Sequence, residues 1–72
     1  MESPKRWMQA DGEPVSCQEK LRVLEENWQE VQGILRDAFE DAVLMGVSEH
    51  AMRAHLTDLV ASLQSPHHGH KA

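Results

Sequence analysis

Disulfides are the first thing this chain goes without. Its one cysteine, Cys17, has no intramolecular partner. With no CxxC and no Cys/His set at zinc-finger spacing, a structural zinc site has no ligands either. Long hydrophobic runs are missing too. No apolar stretch approaches the ~20 residues that a bilayer span requires, and Lys5 and Arg6 are not followed by the apolar segment of a signal peptide. One free thiol without a targeting segment points to the cytoplasm.

Positive charge is scarce. Seven Lys and Arg face twelve Asp and Glu, for a formal net charge of −5. Residues 16–46 concentrate the imbalance: Glu19, Glu25, Glu26, Glu30, Asp37, Glu40 and Asp41 stand against Lys20, Arg22 and Arg36. Such a surface repels phosphate backbones and anionic membranes, and it suits a basic protein partner. Catalytic signatures are lacking as well: there is no glycine-rich phosphate loop, Ser/His/Asp set or nucleotide fingerprint. Glu25-Glu26 and Glu40-Asp41 are sequence neighbours, which point apart on a helix and so form no catalytic carboxylate pair. The expectation is a protein that is not an enzyme and needs no cofactor.

Seventy-two residues give a thin core. Domains of this size usually add a disulfide framework, a metal or a partner chain. With the first two excluded, oligomerisation is left to supply the missing burial.

What is present reads as helix. Residues 1–15, with Pro4, Gly12 and Pro14, have no helical or strand period and read as an extended or disordered arm. Ser16-Cys17-Gln18-Glu19 has the form of a capping box opening a first helix. Beyond it Cys17, Leu21, Leu24, Trp28, Val31, Leu35, Ala38, Ala42 and Met45 recur at alternating spacings of four and three, the a/d period of helices packed side by side. Ile34 and Phe39 widen the stripe on its two flanks. Gly33 falls on the opposite side and is a possible break, since glycine costs up to about 1 kcal/mol in a helix interior. Arg22 and Arg36 sit four residues before Glu26 and Glu40, spacings suited to ion pairs. Glu40 and Asp41 lie at the unfavourable end of the helix dipole, which hints at a basic partner or at Arg53 nearby.

Gly46 supplies a helix stop, Ser48 an N-cap, and Val47 with Met52 the spacing of a hydrophobic staple. A second helix then carries Met52, Leu56, Leu59, Val60 and Leu63 on one face, with Pro66 closing it. The predicted fold is all-α: a helical hairpin over residues 16–64, helix 1 at about 16–46 and helix 2 at about 48–64, followed by a flexible tail over 65–72.

The two rods differ in length, about 45 Å against about 26 Å. Helix 2 folded back along the C-terminal half of helix 1 therefore leaves the stripe from Leu21 to Val31 uncovered, and an apolar stripe in water is an interaction site, with Leu21, Leu24, Trp28, Val31 and Leu35 as its contact residues. A second copy would cover it, giving a homodimeric four-helix bundle with an architecture similar to small Rop-like bundles. The alternative is that the arm, with Trp7 and Met8, folds over Trp28. The preferred function is a small protein-protein interaction or regulatory accessory protein acting through this stripe, with Trp28 as its anchor.

Ala42, Gly46, Val47, Ser48, Met52, His55 and Leu56 also resemble the helix-turn-helix of LuxR-type DNA-binding domains. The resemblance covers about a third of the chain and implies a transcriptional regulator with helix 2 as recognition helix. It departs from that pattern in two ways. The exposed face of helix 2 offers Glu49, His50, Arg53, Ala54, Thr57 and Asp58, with one fixed positive charge, and a three-helix motif requires helix 1 to break near Gly33. Nucleic acid is therefore not the expected partner. His67, His68 and His70 read as part of a solvated tail; the alternative is an unselective chelate for Ni²⁺, Cu²⁺ or Zn²⁺. Cys17 reads as a small hydrophobe in the a/d register, with a reactive thiol at the helix start as the alternative.

Overall fold

The computed structural model describes residues 3, 4 and 6–66. Among them are two α-helices, α1 (Gln18–Leu44) and α2 (Glu49–Ala61), and no strand beyond one isolated antiparallel bridge, Met8 to Pro14. The all-α helical hairpin is therefore present. His67, His68 and His70 lie outside the described residues. The chain forms two compact units, residues 1–37 and 38–72, with the junction inside α1.

Both helices are shorter than periodicity predicts, and the cause is local chemistry at their ends. α1 starts at Gln18 instead of Ser16 because Cys17 takes the capping position. The Cys17 carbonyl accepts from Leu21 N–H at 2.9 Å, and the first-turn amides of Lys20 and Glu19 lower the pKa of its thiol. The Ser16–Glu19 capping box does not form: the Glu19 carboxylate turns to Arg22, 2.7 Å away.

The other end of α1 is a Schellman motif. Gly46, at φ +104°, donates to Val43 O at 3.0 Å, and Val47 N–H donates to Ala42 O at 2.9 Å. That pair of bonds stops the helix at Leu44 and leaves Met45, the last residue of the predicted stripe, 82% exposed. Ser48, with extended backbone, then accepts from Ala51 N–H at 3.0 Å and opens α2. Its far end closes before Pro66 is reached. The Ser62 hydroxyl donates to Leu59 O at 2.6 Å, a side-chain bond that competes with helix continuation.

Gly33 does not break α1, which runs through it without interruption. The third helix that a DNA-binding motif would need is thus not formed among the described residues.

In the first unit the arm carries order that hydrophobic period cannot reveal. Gln9 to Gly12 close a turn, with Gly12 N–H donating to Gln9 O at 3.0 Å and Gly12 at φ +91°. The Asp11 carboxylate accepts from Glu13 N–H at 2.9 Å, an Asx turn. Gln9 N–H donates to Glu13 O at 2.8 Å and Val15 N–H to Trp7 O at 2.7 Å, which draws the two sides together like a small hairpin.

In the second unit the half-buried residues are Phe39, Ala42 and Val43 of α1 with Ala51, Met52 and Leu56 of α2. The predicted face of α2 is covered over its first two turns only, since Leu59, Val60 and Leu63 are exposed. No described residue in either unit is fully buried.

Candidate interaction face

The face that α1 covers is rotated from the predicted seam. Leu21, Leu24, Trp28, Leu35 and Ala42 are half-buried as the a/d reading requires, but Cys17, Val31, Ala38 and Met45 are exposed. Glu25, Gln32, Phe39 and Val43, off that register, are half-buried instead. Most covered positions therefore follow a second heptad phase, Leu21, Glu25, Trp28, Gln32, Leu35, Phe39 and Ala42, with Leu24, Gly33 and Val43 half-buried beside it. Of the two flanking residues, Phe39 is on the covered side, while Ile34 is 62% exposed.

The arm is the reason in the first unit. The Trp7 and Trp28 rings meet edge to face, 5.8 Å between centroids at 78°, a contact worth about 0.5–1.5 kcal/mol beyond the area it buries. Of the alternative expectation, an arm folded over Trp28 through Trp7 and Met8, the chain shows the Trp7 part, while Met8 is 56% exposed. Four of the five residues of the predicted contact stripe, Leu21, Leu24, Trp28 and Leu35, are half-buried, and only Val31 among them stays exposed.

This seating carries a cost. Trp28 Nε1 and Gln32 Nε2 are both out of solvent, and neither finds an acceptor among the described residues. A buried donor left without a partner costs about 1–3 kcal/mol, enough to cancel the aromatic contact. The arm therefore sits over Trp28 by apolar burial and its turn, with no polar anchor to α1 among the described residues. The signal that could have located this contact is Asp11-Gly12, a turn-forming pair between two apolar ends, Trp7-Met8 and Val15.

In the second unit Arg53 takes an unexpected place. Its guanidinium lies over the Phe39 ring, 4.9 Å from the centroid, and its ion partner is Glu49 at 3.4 Å. It does not pair with Glu40 or Asp41, and the last turn of α1 carries no basic residue. Arg22 does reach Glu26, at 3.3 Å, whereas Arg36 and Glu40 form no ion pair among the described residues.

Two shallow depressions flank these features. One, of about 370 Å³, is lined by Glu19, Lys20, Val23 and Leu24. The other, of about 310 Å³, is lined by Phe39, Glu40, Val43, Leu44 and Glu49. Both are open and chiefly apolar, with few convergent polar groups. The described residues hold no cluster of three or more His, Cys, Asp and Glu side chains that could ligate a metal ion. None of their helices is long and apolar enough to cross a membrane.

Cys17 is exposed rather than packed in the seam. The N–H groups of Lys20 and Glu19 pointing at its sulfur hold the thiol below its ordinary pKa, and the Lys20 charge adds to this. Compared with known proteins, the chain matches no family model, no curated protein and no solved structure.

Proposed function

We propose that this chain is a small, non-enzymatic interaction protein that acts by presenting a face of α1 and that pairs with a second copy of itself. The observation that carries the reading is the absence of any fully buried residue among those described, beside Val23, Val31 and Ile34 exposed on one side of α1. Apolar area gains roughly 25 cal/mol for each Å² removed from water, so a helix that leaves three branched aliphatic side chains wet gains by association.

The contact stripe of Leu21, Leu24, Trp28, Val31 and Leu35 is then left to a further protein partner and is open to it only at its Val31 edge, because the arm holds the Trp28 side, while self-pairing uses the exposed aliphatic side of α1. Glu40 and Asp41, which have no ion partner among the described residues, suit a basic segment on a further protein partner. A cytoplasmic accessory or regulatory role accords with this reading. The test is the mass in solution by sedimentation equilibrium, from about 10 μM to about 1 mM, a range that spans the modest affinity of such interfaces. The 8.2 kDa chain should move toward twice that mass as concentration rises. A chain that stays monomeric throughout would overturn self-pairing.

A further inference from the structure

Opposite the covered face, α1 carries a second seam. Lys20, Val23, Asn27, Glu30, Ile34 and Asp37 recur at alternating spacings of three and four, again an a/d period. All six are exposed, Val23 by 46%, and none of them is in an ion pair among the described residues. Their order is self-complementary when reversed. Laid antiparallel on itself about a point between Asn27 and Glu30, the seam sets Lys20 against Asp37, Val23 against Ile34 and Asn27 against Glu30. Each pairing occurs twice, as a two-fold interface requires.

We propose that the second copy docks antiparallel on this seam, through Lys20, Val23, Asn27, Glu30, Ile34 and Asp37. The inference rests on the self-pairing proposed above and gives it a register. Charge selects the direction. Antiparallel, the cation at one end of the seam meets the anion at the other, and the Asn27 amide donates to the Glu30 carboxylate of the second copy. Parallel, Lys20, Glu30 and Asp37 would each face their own like charge, which is repulsive at contact distance. Shape agrees with charge: the depression lined by Glu19, Lys20, Val23 and Leu24 lies at the end of the seam where Ile34 of the second copy would arrive. The covered face with Trp28 stays under the arm, so pairing needs no rearrangement of the first unit.

Thiol pairing reads the register directly. In a Cys17→Ser background, Val23→Cys and Ile34→Cys chains are mixed in equal amounts and mildly oxidised. The mixed 23–34 linked dimer should dominate over either self-linked product. Positions 23 and 34 face each other across the antiparallel seam, whereas two copies of position 23 are held about 16 Å apart, beyond disulfide reach. Charge exchange gives a second reading. Lys20→Glu and Asp37→Lys should each weaken self-association roughly tenfold, and the double variant should return to within about threefold of the parent. Preferential 23–23 linkage, or a double variant as weak as the singles, would overturn this register while leaving self-pairing intact. A parent chain that remains monomeric at about 1 mM would overturn both.

Discussion

Cys17 shows how much one side chain at a helix start can differ from its place in a sequence pattern. The a/d spacing makes it a small apolar residue, but it lies in solvent at the start of α1, where the backbone N–H groups of Lys20 and Glu19 lower the pKa of its thiol. Because those donors favour the thiolate, the folded chain holds this thiol below the ordinary range. The sign of the linkage follows. A depressed acid adds stability that is fully present above the unfolded-state pKa and is lost as pH falls through the lower, folded value. Alkylation by iodoacetamide, followed against pH, should therefore show its midpoint at lower pH in the folded chain than in urea. Coincident midpoints would mean that the helix start does not act on the sulfur. Cys17→Ser, which puts a stronger cap at the same position, should remove the alkaline part of the stability profile and keep α1 intact.

Among the elements, glycine has two opposite roles, and substitution separates them. Gly33 lies in α1 with open space where a Cβ would be, so Gly33→Ala should stabilise the chain by up to about 1 kcal/mol through helix propensity alone. Gly46 also has open space, but its φ of +104° is a conformation that a side chain resists. Gly46→Ala should cost about 1–2 kcal/mol and fray the Schellman turn. Urea denaturation of both variants tests the contrast, and equal effects of the same sign would refute it. The helix-turn-helix order was legible because capping and stop signals act over a few residues: Gly46 and Ser48 do as their chemistry requires. The helix ends were less legible because several groups compete for the same orphan amides and carbonyls. Cys17 displaced Ser16 at the first, and Ser62 closed α2 ahead of Pro66.

For the whole molecule the governing fact is that no described residue of either unit is fully buried. Stability in a chain this small depends on apolar area removed from water, which must offset conformational entropy of similar size. Half-covered side chains in each unit leave that balance close, and the unpaired donors of Trp28 and Gln32 reduce it further. If a second copy supplies the missing burial, folding and association become one equilibrium. The thermal midpoint should then rise by roughly 5 °C or more over a hundredfold increase in concentration, as monitored by circular dichroism. A midpoint independent of concentration would place the stability within the single chain.

What the sequence determined by itself was the class of structure and its punctuation: two amphipathic helices, a glycine stop, a serine cap, an acidic surface and no disulfide. These follow from period, local backbone chemistry and charge count, which need no knowledge of distant contacts. Which face of α1 is covered was decided only by tertiary structure. The stripe through Leu21, Trp28 and Leu35 has Leu24, Val31 and Ala38 on one flank and Glu25, Gln32 and Phe39 on the other, and hydrophobic period alone selects the first. The choice came from the turn at Asp11-Gly12, which brings Trp7 onto Trp28 and leaves Val23, Val31 and Ile34 facing water.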